Sequence, residues 1–223
     1  MKKFVIAVVA AAALNTVSAE SYASNFSGFY AGLQAGINSA HSKIRNVDSE
    51  ATKESHGAQS FIGGLFTGYG MGVGQCMYVG GEIYGNLGEN NFTYFDSNTA
   101  KITTKNNGNF GVKVRLGYAA SPQAMIFLGL GLEYAQWKLK LENVGRLARG
   151  VETEYKSTIS KVAFSPSVGT EVYMNKHLFV RGEYTYVASV VGKLEGKTWD
   201  GSNITIKSNT NQHRFALGLG WKF

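Results

Sequence analysis

The sequence predicts an all-β protein, an eight-stranded antiparallel transmembrane β-barrel with up-and-down meander connectivity. Three observations support this. The chain begins with an export signal, the rest divides into alternating apolar and polar segments of about ten residues, and the connections between segments alternate between long and short. One domain is expected, because about 200 residues follow the signal.

The first segment, 1–19, is predicted to be a secretory signal peptide, and 20–223 the barrel domain. The apolar run is too short to span a bilayer as a helix. A second cut after Ala23 is an alternative. The signal consists of a basic start, an apolar run and small residues at the −3 and −1 positions: Lys2 and Lys3, then 4–14, then Val17 and Ala19.

The alternating segments are the predicted strands, and each has the length that a tilted strand needs to cross a bilayer. Charged residues mark the inward face, since charge is costly in hydrocarbon. The second segment does not show which of its faces is inward. The eight segments are 26–38, 60–70, 77–86, 110–119, 124–137, 161–174, 177–190 and 212–223.

The connections differ in length in a regular way. Short periplasmic turns and long extracellular loops are typical of outer-membrane barrels, and an even number of strands then places both termini in the periplasm. The third long connection is a candidate to extend its flanking strands above the membrane. The long connections are 39–59, 87–109, 138–160 and 191–211, and the short ones 71–76, 120–123 and 175–176.

The inward face carries equal numbers of acids and bases in mid-strand. An eight-stranded barrel has an interior just wide enough for side chains to fill, and buried charges are tolerable when paired. We therefore expect an interior ion-pair lattice that plugs the barrel, and the alternative is the lining of a narrow or gated pore. The residues are Glu82, Glu133, Glu171 and Glu183 with Lys113, Arg115, Arg181 and Arg214.

The last segment alternates strictly and ends on an aromatic residue. We expect it to pair with the first segment, since closure satisfies every backbone group in hydrocarbon. Its apolar face would meet lipid, with an aromatic girdle at the periplasmic interface. The outward residues are Phe215, Leu217, Leu219, Trp221 and Phe223.

Two stretches resemble a known family. The terminal "FALGLGWKF" is similar to the carboxy-terminal assembly signal of bacterial outer-membrane proteins, and "FSGFYAGLQAGI" to the first strand of small OmpA-like and opacity-type surface barrels, also described as porin-family proteins. The resemblance implies insertion by the barrel-assembly machinery, which would read the five outward residues ending at Phe223. It also implies a surface antigen in the outer membrane of a Gram-negative bacterium.

Catalytic, metal and cofactor sites are not predicted. His41 and His56 share the first long connection without matching a metal motif, although some family members bind haemin. His213 lacks the His-x-Ser pattern of barrel enzymes that edit lipid A. The net charge of +7 is scattered and the chain is exported, so nucleic acid is excluded as a partner.

The resulting functional hypothesis is a non-enzymatic surface barrel that presents its outer loops to a host or to the envelope. The expected partners are outer-membrane lipid and lipopolysaccharide, the assembly machinery and host surface molecules. A small porin-like diffusion channel is the alternative, followed by a lipid-modifying barrel enzyme or a haemin binder.

Overall fold

The computed structural model describes residues 22–46, 54–96, 100–143, 155–197 and 203–223. They form a closed barrel of eight antiparallel strands in chain order, which confirms the predicted fold class. Among these residues no helix is long and apolar enough to span a membrane. A 3-10 helix, η1 (Tyr22–Phe26), precedes β1 (Gly28–Asn46), β2 (Glu54–Val73), β3 (Met77–Asp96), β4 (Ala100–Ala119), β5 (Ala124–Asn143), β6 (Tyr155–Tyr173), β7 (Leu178–Lys197) and β8 (Asn203–Lys222).

Every strand is longer than the sequence predicted, at 19 or 20 residues. Most of the four long connections are therefore strand, and the short remainders between strands lie outside the described residues. The reason is that backbone pairing continues beyond the apolar segments, as the β5–β6 ladder shows by running to Leu141↔Tyr155. The third connection was expected to do this, and all four do.

The two ends of the barrel differ. The turn end carries the short turns around 74–76, 120–123 and 174–177 together with Phe223, and the opposite end, here the extended end, carries the strand extensions. Gly74 has a φ of +68°, which favours glycine at that turn. β1 pairs with β8 from Tyr30↔Lys222 to Asn46↔Ile206, so the described sheet has no edge strand.

The turn end is covered by η1, which sequence reasoning missed by beginning the first strand at Phe26. Ala23 and Phe26 are buried, and the Ala23 amide donates to the Gln75 carbonyl at 3.1 Å. The Phe26 ring meets Tyr173 edge-on at 5.1 Å between centroids. A single helical turn therefore fits into the barrel mouth.

The exterior carries an apolar band of exposed large side chains, as predicted. On β4 and β5 the exposed residues are Phe110, Val112, Val114, Leu116, Tyr118, Leu128, Leu130, Leu132 and Tyr134. The ambiguous second strand is resolved: Phe61, Leu65 and Tyr69 face outward, whereas Ile62 and Phe66 are buried inside. Register shifts at 87/90, 106/109 and 187/190 lie near the edge of this band, where the strands leave it.

The barrel interior as the candidate functional site

All eight inward charged residues are buried in the barrel. Each is at most 8% exposed, because alternate positions of a closed strand ladder point to the interior. β3 supplies Glu82, β4 supplies Lys113 and Arg115, β5 supplies Glu133, β6 supplies Glu171, β7 supplies Arg181 and Glu183, and β8 supplies Arg214.

Six of these residues form one connected cluster centred on Glu82. This carboxylate lies 2.7 Å from Arg181 Nη1, 3.2 Å from Lys113 Nζ and 3.5 Å from Arg115 Nη1. Arg115 Nη2 and Arg181 Nη2 reach Glu171 at 2.8 and 3.1 Å. Lys113 also contacts Glu183 directly. Three acids and three bases thus neutralise one another within hydrogen-bonding reach.

The remaining two charges form a separate pair. Arg214 donates to Glu133 through Nη1 at 2.8 Å and Nη2 at 3.1 Å, the bidentate geometry that makes arginine–carboxylate contacts strong. The Tyr84 hydroxyl donates to Glu133 at 3.2 Å, and the Lys113 ammonium lies 4.7 Å from the centre of the Tyr84 ring. Tyr84 therefore joins the pair to the cluster.

Aromatic rings fill the interior between the cluster and the turn end. The Arg181 guanidinium lies 4.1 Å from the Phe66 ring centre, and the Arg115 guanidinium 4.0 Å from that of Phe127. Phe179 continues the layer with its ring 5.2 Å from Tyr173. Cation–π contact of this kind partly replaces the hydration that the guanidinium groups lose on burial.

Inward glycines make room for these side chains. A Cβ on Gly220 would lie 2.1 Å from Cζ of Phe179, and a Cβ on Gly129 would lie 2.2 Å from Ser167 Oγ. A Cβ on Gly111 would lie 2.4 Å from the Tyr84 ring. Since atoms already occupy the space that even a methyl group would need, the interior is tightly filled at these levels.

Side-chain amides line the interior on the other side of the cluster, toward the extended end. Gln34 Nε2 donates to Asn86 Oδ1 at 2.6 Å, Asn86 Nδ2 to Asn109 Oδ1 at 2.9 Å, and Asn38 Nδ2 to Gln212 Oε1 at 2.9 Å. Sequence reasoning missed this layer. The signal was available, because these amides alternate in step with the inward charges.

The remaining predicted residues are the terminal-strand set and two histidines. The terminal-strand set, Phe215, Leu217, Leu219, Trp221 and Phe223, is exposed on the exterior. His41 and His56 are strand residues, and the register sets His41 opposite Gly57 and His56 opposite Ser42, so the two are not cross-strand partners. No group of three metal-ligating side chains exists within the described part of the chain.

A closed barrel with an apolar exterior and a charge-paired interior defines a β-barrel membrane protein. The family model described as outer membrane protein beta-barrel domain matches residues 6–223. The chain belongs to this family, as its resemblance predicted, and is a protein of the Gram-negative outer membrane.

Relatives agree with this assignment. The chain is 27% identical over 209 residues to the 31 kDa outer-membrane immunogenic protein of Brucella melitensis, covering 89% of this chain and 84% of that protein. It is 23% identical over 199 residues to the 25 kDa outer-membrane immunogenic protein of the same organism, covering 89% and 80%. The crystal structure of outer membrane protein OprG from Pseudomonas aeruginosa shares the fold, with a TM-score of 0.56, 11% identity and coverage of 88% and 96%.

Proposed function

We propose that this protein is a non-enzymatic surface barrel whose interior is a structural plug and whose extended end makes contact with a host or with neighbouring cells. The observation that carries the proposal is the interior itself, where paired charges and aromatic rings fill the cross-section. The extended end is then the surface that carries the function, since binding residues concentrate on segments held by a rigid scaffold. Relatives described as immunogenic outer-membrane proteins support presentation at the surface.

The proposal includes an orientation. The turn end, with both termini, lies in the periplasm, and the extended end lies outside the cell, the arrangement that outer-membrane barrels adopt. Removal of the signal 1–19 precedes insertion, and the assembly machinery reads the terminal strand. An antibody against segment 144–154 tests this orientation: it should label intact cells. Labelling only after permeabilisation would reverse the assignment.

The plug is tested by ion conductance of the refolded chain 20–223 in a planar bilayer. We expect no steady conductance, because an ion crossing the barrel would have to displace Arg181 from Glu82 and Glu171. A reproducible conductance that persists across voltages would overturn the plug.

The second candidate is a narrow channel, favoured by one observation. Glu82 has three cationic partners, Lys113, Arg115 and Arg181, so one contact can be exchanged for another without leaving the carboxylate unpaired. If the wild-type chain conducts ions, transport becomes the leading candidate function. Catalysis receives less support, because His213 is followed by Arg214 and Phe215 and so lacks the His-x-Ser pattern of barrel enzymes that edit lipid A.

A further inference from the structure

A cluster of polar rings lies on the outside of the barrel, across the seam formed by β7, β8 and β1. The Tyr184 hydroxyl lies 2.6 Å from His213 Nδ1. The His213 ring centre is 5.3 Å from that of Tyr186 and 6.1 Å from that of His41. We call these four side chains the histidine–tyrosine cluster.

The height of the cluster on the barrel wall is defined by the strand register. Ile37 on β1 pairs with Phe215 on β8, and both are exposed members of the apolar band. Two residues further toward the extended end, Ser39 pairs with His213, and His41 stands one step beyond. Since Tyr184 is the partner of Phe215 on β7, the cluster spans the edge of the apolar band, at the level of lipid headgroups.

The chemistry of the cluster suits an oxyanion. The Tyr184 hydroxyl and His213 Nδ1 share a hydrogen bond, and Nε2 is the other ring nitrogen of His213, a donor in the tautomer that carries its proton there. His41 is exposed and adds a second imidazole.

The strand register gives the neighbours of the cluster. Farther toward the extended end, Arg45, Lys207 and Lys193 are successive cross-strand partners on β1, β8 and β7. On the β2 side, Gln59 and Gly57 occupy the positions opposite Ser39 and His41 and carry no charge.

We propose that the histidine–tyrosine cluster binds a phosphate group of the glycolipid in the outer leaflet. The occupant is a lipid because the cluster continues the lipid-facing band on the outer wall rather than lying at the barrel mouth. The assignment to the outer leaflet rests on the orientation proposed above, but it is independent of what the extended end contacts.

The test is lipid binding by the refolded chain 20–223 in maltoside micelles. Phosphorylated lipid A is compared with lipid A from which the phosphates have been removed, for the wild type and for the double variant His41→Gln, His213→Gln. We expect the double variant to bind the phosphorylated lipid about tenfold more weakly, as loss of charge-assisted hydrogen bonds implies. Binding of the dephosphorylated lipid should be equal in both proteins.

The matched control is His177→Gln. His177 also lies on the exterior, but at the turn end, where its ring stacks on Trp221 at 5.2 Å. This variant should bind phosphorylated lipid A like the wild type. Equal loss in the control and the double variant, or equal affinity of the wild type for both lipids, would overturn the proposal.

A second variant covers a failure of the first. If the double variant fails to refold, the single variant His41→Gln should weaken phosphate-dependent binding about threefold, and unchanged binding would count against the site. These assays do not depend on conductance, whereas antibody labelling that reversed the orientation would overturn the outer-leaflet assignment.

Discussion

At the scale of single residues, Arg181 is the side chain on which the interior charge balance most depends. It contacts both Glu82, at 2.7 Å, and Glu171, at 3.1 Å, and all three are buried. Arg181→Leu would leave the cluster with an excess of buried negative charge. We expect it to lower the free energy of unfolding by about 3–5 kcal/mol, the cost of breaking a buried ion pair from one side.

This loss is measurable by urea unfolding of the refolded chain, together with the heat-dependent migration that folded barrels show in gels. Lys176→Leu is the control, since it removes a base from an exposed position in a turn. If Arg181→Leu and the control unfold at the same urea midpoint, the charge cluster does not contribute to stability.

The inward placement of these charges was predictable, whereas the pairing was not fully predictable. Alternation alone assigns Glu82 and Lys113 to the inward face, and their register as cross-strand partners follows from two adjacent strands. Arg214 and Glu133 are on β8 and β5, which do not pair, so their contact depends on how the barrel closes. Strand stagger determines such cross-barrel distances, and one sequence does not show it.

At the scale of elements, η1 is a short helix with a structural role. Ala23 is fully buried and hydrogen-bonded to Gln75, and Tyr22 packs beside the aromatic layer. We expect the mature chain to begin at Glu20, after the predicted cut at Ala19, and to retain this helix. A refolded chain 24–223 should be less stable than 20–223 by about 1–2 kcal/mol, since it loses that hydrogen bond and the apolar burial.

Intact mass of the protein extracted from outer membranes reports the first residue directly, and urea midpoints compare the two refolded chains. A mass that begins at Ser24, with equal midpoints for both chains, would show that the helix contributes nothing. Sequence reasoning missed η1 because its five residues lack a periodic pattern and lie beside the cleavage site.

The strand extensions were only partly predictable from the sequence. Apolar alternation marks a strand only while one face meets lipid and the other the interior. Above the band the apolar alternation is lost, as "SNTNQ" in β8 shows, and the sequence pattern becomes that of a loop. The third connection was recognised as a candidate because "KLKLEN" keeps its alternation.

At the scale of the whole molecule, closing the barrel and packing its interior depend on each other, because β1 must pair with β8 around side chains that already fill the interior. Gly36 marks the tightest point of this seam: a Cβ there would lie 2.1 Å from the Phe215 carbonyl oxygen and 2.7 Å from Cα of Ala216. These are backbone atoms, so no side-chain rotation can relieve the contact. The alternation of the terminal strand predicted closure, but not this approach.

Gly36→Ala should therefore push the two strands apart, lowering the free energy of unfolding by about 1–3 kcal/mol, as overpacking does. The control is Gly63→Ala at nearly the same height on β2, opposite Ala35, where a Cβ would meet nothing within 4 Å. The control should keep or slightly raise stability, because alanine reduces the freedom of the unfolded chain. The measurement is the urea unfolding midpoint of both refolded variants. Equal midpoints would mean that β1 and β8 pack less closely than the structure shows.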